Sequence, residues 1–556
     1  MKVIAESAFN HNGDLAYLKN LAIASKDSGA DYFTVQVLFP DYFSTKDYSK
    51  YSIYVENSFS EEQWIDLFDY CKSLEINLIP CVLDSKAFEV VYNYGFRFVK
   101  IHSTDIINIP LLERFREKKD CEFILETQCS TYQDISLCMS YVGEYVKALF
   151  HGYSNYPTEG DEIKLNSIDQ LKYDFPGLEY GFADHTLGRV ELPLMALAKG
   201  YDYIEKHIAL DRNDRHYDWQ VSLNPQEFSE MTSVLKNYKK VLGNGTKHPT
   251  KTELGYRDII FKKVISKEPL DFKRSGSGKD FLSDKISLLK KENVGIALIA
   301  RLKSQRLKKK VLLNIGDDHL IINLYKRLDS TPSLKKVFLA TSTLEDDNEL
   351  VSLFKSRGLN VFTGHPMSVI DRMLSLAIQE NWGGIFRVTG DNPFTDPFIC
   401  QRMIEHFINN DLDYVKAIGL PFGVTAELFS TQYLWELYLN MDNPLQSEYL
   451  TWFVINDENA KKGVIKVISD KPIDKVNLSV DYEEDYKRCL ALFSNIGKSF
   501  ESVSLSDIMQ HVNLEDLVDL TKDIKLPKSK IPYIDYINMQ NNLNWCFVEE
   551  INEKEL

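Results

Sequence analysis

The sequence predicts an α/β protein with an N-terminal (β/α)8 barrel followed by a three-layer α/β domain. Three observations carry this. Eight short apolar runs alternate with amphipathic helical patterns over residues 1–245, the repeat count of a closed parallel barrel. The residues able to do chemistry gather at the C-terminal ends of those runs. After a Gly/Ser/Lys-rich stretch, KRSGSGKD at 273–280, a second strand–helix series begins at residue 294. At 556 residues the chain is too long for one hydrophobic core. A doubly wound open sheet is the alternative for the first half, but eight strands would make it unusually wide.

Taken in order, the first-half strands are KVIAESAF (2–9), DYFTVQVL (31–38), NLIPCVL (77–83), FRFVKIHS (96–103), EFILETQ (122–128), ALFHGYS (148–154), YGFADH (180–185) and YIEKHIAL (203–210). Segments such as DLAYLKNLAIASKDSG and EEQWIDLFDYCKSL repeat their apolar residues at helical spacing. Residues 246–293 read as a connector. The second series runs through VGIALIAR (294–301), KKVFLATS (335–342), GGIFRVTGD (383–391), DYVKAIG (413–419) and KVNLSVD (475–481). This is the pattern of a nucleotide-binding layered domain. Beyond residue 498 the tail has helical patterning. The expected boundaries are 1–262 for the barrel, 263–293 for the linker, 294–498 for the second domain and 499–556 for the tail.

Composition narrows the function. With 65 basic and 81 acidic residues the formal charge is -16, which argues against a nucleic-acid binder. No apolar run reaches membrane-spanning length. The N-terminal MKVIAESAFN reads as a strand rather than a leader, and the eight cysteines show no C-x-x-C pair. A cytoplasmic enzyme is expected.

Glu6, Gln36, Lys100, Ser103, Glu126, His151, His185 and His207 fall at or near strand C-termini, the ends that converge on one face of a barrel. His185 and His207 end consecutive strands. Two neutral imidazoles there suit a divalent transition metal with an open shell able to polarise a carbonyl, and rim hydrogen bonding is the plainer reading. Glu6 can bind hydroxyl or amide groups or move a proton. Asn10-His11-Asn12-Gly13 reads as turn chemistry behind it. Lys100 with Ser103 can receive a phosphate or carboxylate. In the second domain, ARLKSQRLKKKVL offers Arg301, Ser304, Arg306 and Lys310 for a triphosphate. Lys308 and Lys309 read as solvated. Asp391 and Asp481, each at a strand end, suit Mg2+ with phosphate oxygens.

The blocks AESAFNHNG, VKIHSTD, HGYSNYP, FADHT and EKHIALDR, then DWQVSLNPQE, resemble the sialic acid (nonulosonate) synthase family in order and spacing over about residues 1–265. The resemblance implies a barrel that condenses phosphoenolpyruvate with an open-chain N-acetylated amino sugar, with Mn2+ or Mg2+ on His185 and His207, in a homodimer. It implies that Glu6, Asn10, Gln36, Ser154, Tyr156 and Asp184 contact the sugar side, and Lys100 and Ser103 the donor. This chain carries Thr34 where the family has lysine, Glu126 where it has a phosphate-binding serine, and Ala183 in place of a serine. Those changes leave three readings open: a synthase with this or another three-carbon donor, a metal-dependent aldolase or lyase without phosphoenolpyruvate, or a non-catalytic scaffold.

Residues 294–498 resemble the cytidylyltransferases that activate acidic sugars, through ARLKSQRLKKKVL, FLATSTLEDD, VIDRM, RVTGDNPFTDP, AELFS, SEYLT and SVDYEED. The resemblance implies CTP and Mg2+. Arg301, Ser304, Arg306, Lys310, Asp371 and Arg372 would hold the nucleotide, and Asp391 and Asp481 the metal. Lys308-Lys309 replaces a Pro-Gly, and Tyr449 a histidine. The two halves together imply a bifunctional enzyme whose product is a CMP-activated nonulosonic acid.

Overall fold

The computed structural model describes residues 1–303, 306–516, 523–526 and 529–552. The chain divides into two compact units, Met1–Gly245 and Thr246–Leu556.

In the first unit eight parallel strands close into a barrel in sequence order. They are β1 (Lys2–Glu6), β2 (Tyr32–Val37), β3 (Leu78–Val82), β4 (Phe98–Ile101), β5 (Glu122–Glu126), β6 (Val146–Gly152), β7 (Glu179–Asp184) and β8 (Tyr203–His207). Alternation along each strand sorts the side chains. Val3, Phe33, Val99, Phe123, Leu149, Phe182 and Ile204 face the helical ring and join the main core. Ile4, Ile79, Ile124, Ala148, Phe150 and Tyr203 turn inward and plug the waist. A Cβ on Gly181 would stand 2.4 Å from the Phe150 ring, so only glycine on β7 leaves room for that ring. Above the plug the inward positions become polar: Glu6, Thr34, Lys100, Glu126, Glu205 and His207 are all buried.

The stretch expected to be a connector is structured. It holds a helix, Lys251–Ile260, a hairpin of β9 (Lys263–Lys267) with β10 (Leu270–Lys273), and a second helix, Phe281–Ser287. Thr250 and Asp280 cap those helices with their side-chain oxygens, which gives a polar, Gly-rich stretch regular structure.

The second unit is built on an eight-stranded sheet. Its strands in chain order are β11 (Val294–Ile299), after which the short pair β12 (Asn314–Ile315) and β13 (Asp318–His319) stands apart, then β14 (Leu334–Ser342), β15 (Val361–Gly364), β16 (Gly384–Thr389), β17 (Tyr414–Ile418), β18 (Glu427–Ser430) and β19 (Lys462–Ile468). In the tail β20 (Asp523–Leu526) and β21 (Ser529–Pro532) form a hairpin, a helix covers Tyr533–Asn541, and β22 (Phe547–Asn552) returns to the sheet. The spatial order is β15-β14-β11-β16-β18-β17-β19-β22. Only β18 runs antiparallel to its neighbours. The segment 475–481 is not a ladder strand. It makes an isolated bridge to Phe422, and Val480 N–H donates to the Asp391 carbonyl at 2.8 Å.

Candidate active sites

At the mouth of the barrel the two expected histidines meet. The His185 and His207 ring centroids lie 5.0 Å apart at 84°. His185 Nδ1 sits 2.5 Å from the Tyr153 carbonyl. That contact places its proton on Nδ1 and leaves Nε2 as a lone pair. His207 Nδ1 is buried without a hydrogen-bond partner, 3.9 Å from Asp218, and His207 Nε2 lies 3.8 Å from Glu6. Burial holds both rings below the usual histidine pKa, His207 down to about 3, so both are neutral and able to ligate. The Tyr156 ring stands 4.5 Å from His185 and 5.9 Å from His207.

Beneath them lies a cluster of four ionisable groups. The Lys100 ammonium, fully buried, is 2.7 Å from Glu126, 2.8 Å from Glu205 and 3.3 Å from Glu6. Gln36 donates to Glu6 at 2.9 Å. Burial opposes the charge on Lys100, but Glu126, Glu205 and Glu6 outweigh it and hold the ammonium well above its usual pKa. Burial and the Glu6 charge push Glu205 well above the carboxylate range. For Glu6 burial acts upward, yet the Lys100 ammonium wins and holds it well below. One acid thus keeps its proton beside one that has lost it. Glu6, Glu126 and Glu205 could together ligate a metal by proximity, but the ammonium already occupies the cation's place.

Side-chain direction separates the remaining residues and corrects the expectation for Asp184. Asp184 faces away from the mouth, with Lys206 at 3.0 Å and Thr186 bonded to it. His151 also turns outward, against Tyr153 and Phe182. His11 accepts from Gly13 N–H at 3.0 Å and packs on Phe59, so it shapes the first loop. Asn10 is buried and donates to Ser222, with its Oδ1 unpartnered. Ser103 opens a short 3-10 turn after β4. Ser154 is half-buried in the loop after β6. Sequence reading missed Glu205 and Asp218. Two-residue alternation from His207 points Glu205 inward and would have found it.

Buried neutral histidines make acid costly. Burial lowers His11 and His151 from 6.5 to about 4. Below pH 6.5 the unfolded chain takes up protons that the folded one refuses. Stability is therefore present above pH 6.5 and lost as pH falls toward 4, on the order of 3 kcal/mol per ring. His151→Leu should lose less stability than wild type between pH 7 and 5 in thermal melts. Equal losses would remove His151 from the account.

In the second unit Lys310 bridges Asp391 at 2.6 Å and Asp481 at 2.8 Å, and Arg306 reaches Asp481 at 2.8 Å. The backbone bond from Val480 to Asp391 draws the two carboxylates together. Arg301 donates to the Pro366 carbonyl. Ser304 lies outside the described residues. Two expectations are not met in place: Asp371 bonds the Tyr438 hydroxyl on a neighbouring helix, and Arg372 is buried with Nη1 on the Ala340 carbonyl. Burial and then Arg301 lower its pKa to about 10.

A closed barrel with a polar mouth, followed by a sheet whose paired aspartates meet basic side chains, defines a two-activity enzyme, a synthase-type transferase joined to a nucleotidyltransferase. Comparison with known proteins agrees. The NeuB family matches residues 22–247 and the Cytidylyltransferase family residues 296–529. An uncharacterized protein of Methanocaldococcus jannaschii is 33% identical over 290 residues, 50% of this chain and 85% of that protein. The N,N'-diacetyllegionaminic acid synthase of Legionella pneumophila is 29% identical over 308 residues, 50% of this chain and 86% of that one. The structure of a cytidylyltransferase from Leptospira borgpetersenii is 27% identical, with a TM-score of 0.37, covering 39% of this chain and 92% of that chain. The chain belongs to the NeuB sialic acid synthase family through its barrel and to the cytidylyltransferases through its second unit. Two transferase families, a synthase and a nucleotidyltransferase, are thus joined in one chain. No helix among the described residues is long and apolar enough to cross a membrane.

Proposed function

We propose that the barrel joins a three-carbon enol-type donor to the aldehyde of an N-acetylated amino sugar, and that the second unit transfers CMP from CTP to the acid so formed. The juxtaposed neutral rings of His185 and His207 carry this reading. The freed Nε2 of the first and the orphaned Nδ1 of the second fit a divalent cation, Mn2+ or Mg2+, with Asp218 and Glu6 near by. When bound there it would polarise the aldehyde carbonyl. Glu6 and Gln36 bind hydroxyl or amide groups of the sugar, helped by Asn10 and Ser154. Tyr156 covers the rings. Glu205 keeps a proton beside ionised Glu6, a reserve for the oxygen that gains charge as the new bond closes. Lys100 and Ser103 orient the donor. In the second unit Arg301, Ser304, Arg306 and Lys310 hold the triphosphate, with Asp371 and Arg372 bracing that side. Asp391 and Asp481 suit Mg2+, which would neutralise charge on the phosphates. The barrel domain, taken as 1–262, acts as a homodimer in the cytoplasm.

A second reading, a donor without phosphate, is favoured by one observation. Glu126 already grips Lys100, and Thr34 is spent on the Ile79 carbonyl at 2.6 Å. A dianion would meet carboxylates there rather than a second cation. One experiment separates the readings. The pure chain is loaded with manganese, its metal content measured, and 2-keto acid product followed from a panel of N-acetylated hexosamines with phosphoenolpyruvate or pyruvate. The expected result is about one ion per chain, lost in His185→Ala/His207→Ala together with all product. Phosphate release from phosphoenolpyruvate establishes the synthase, and product from pyruvate alone the aldolase. A metal-free wild type without product from either leaves a scaffold.

A further inference from the structure

Three side chains of the second unit stand in register across three strands. Arg387 on β16 pairs with Glu427 on β18, and Glu427 pairs with Lys416 on β17. Arg387 and Asp391 are four residues apart, at the end of the strand that leads to the paired aspartates. The row holds two cations and one carboxylate, and the carboxylate is heavily engaged. Glu427 accepts from Arg387 at 2.8 Å, from the Tyr414 hydroxyl at 2.8 Å and from Thr451. Lys416 forms no ion pair among the described residues and bonds only the neutral amide of Gln540. Arg387 Nε is buried with no partner. A surplus positive charge and an unpartnered guanidinium donor at one place constitute an anion receptor.

The cover of this receptor comes from the tail. Gln540 lies on the helix Tyr533–Asn541, beyond residue 529 where the cytidylyltransferase match ends. From the same helix Tyr536 meets Tyr449 at 6.3 Å, and Tyr533 meets Phe422 edge-on at 5.7 Å. Phe422 N–H donates to the Val476 carbonyl, and Leu478 N–H donates back to Phe422, so the aromatic wall adjoins the segment that delivers Asp481. Through Gln540 the tail helix thus covers Lys416, with its own Tyr533 and Tyr536 packed on Phe422 and Tyr449.

We propose that Arg387 and Lys416 seat the carboxylate of the acidic sugar acceptor, with the Gln540 amide holding that place on Lys416 and the tail helix acting as the specificity element. This rests on the reading that the second unit activates an acidic sugar. The helix thus gives the tail a role that its sequence pattern alone did not suggest.

The test uses the full chain, CTP, and two probes, N-acetylneuraminic acid and N,N'-diacetyllegionaminic acid, each with its methyl ester. Lys416→Met and Tyr533→Ala should each raise the acid-sugar KM about tenfold or more, as expected for losing a charged or aromatic contact, with the KM for CTP and the melting temperature unchanged. In wild type the acid should bind far better than its ester, and in Lys416→Met the two should bind alike. KM values within twofold of wild type in both variants, or an equal rise for CTP, would overturn the proposal. If wild type releases no pyrophosphate, the nucleotidyl-transfer reading fails and calorimetric binding decides the seat separately. Acid binding abolished by Lys416→Met keeps it, whereas equal binding of acid and ester, or none by either acid, ends it.

Discussion

Lys100→Met is expected to destabilise the barrel by about 3–5 kcal/mol, the usual consequence of removing one partner from a buried ion pair. The ammonium is 0% exposed and sits 2.7–3.3 Å from three carboxylates. Methionine fills the volume but leaves ionised Glu6 beside the Glu126 carboxyl without a cation. Without the ammonium that kept it low, Glu6 can be relieved only by taking up a proton. The loss should therefore be largest at pH 8 and smaller at pH 5.5, the sign expected when the folded variant binds more protons than the wild type. In thermal melts it should appear as a fall of roughly 10 °C at pH 8. Lys100→Met/Glu126→Gln should recover part of it, since one of the acids left beside Glu6 is gone. Should the variant melt within about 2 °C of wild type at both pH values by circular dichroism, the cluster is not held together by its lysine.

The second large effect is on chemistry. Asp391→Asn should lower CTP-dependent pyrophosphate release by about 10²–10³-fold, the range seen when a charge-stabilising group is removed from a reacting centre. Asp481→Asn should do the same, and the double variant little more, as expected if both carboxylates serve one Mg2+. Stability should change little. Each single variant leaves Lys310 one carboxylate, and Lys310 lies 2.6 Å and 2.8 Å from the two. A rate within tenfold of wild type would show that these aspartates are structural partners of Lys310 and Arg306 and nothing more.

Much of this was legible in the sequence because periodicity and position speak directly. Eight alternating runs gave a barrel, and strand-end placement brought His185, His207, Glu6, Gln36 and Lys100 to one mouth. What was not legible depended on direction. Asp184 and His151 lie at strand ends, but their parity turns them toward the helices, where Lys206 and Phe182 take them up. Glu205 was overshadowed by its neighbour His207, although the same parity rule puts it beside Lys100. Asp481 was placed on a strand, whereas the backbone from 476 to 480 is held by Phe422 and Asp391 rather than by a ladder. The packing of the tail and of the 246–293 stretch could not be read locally. Their contacts are made with residues far away in sequence, as Gln540 makes with Lys416.

The Phe150 ring over Gly181, with Ile4, Ile79, Ile124 and Tyr203 around it, shuts the lower end of the barrel. The reaction chamber consequently has a single doorway. Whatever reaches the Lys100 cluster must enter before anything that rests on the histidine rings, and must wait for it to depart. Compulsory-order kinetics, with the deeper reactant first on and its remnant last off, are built into that geometry.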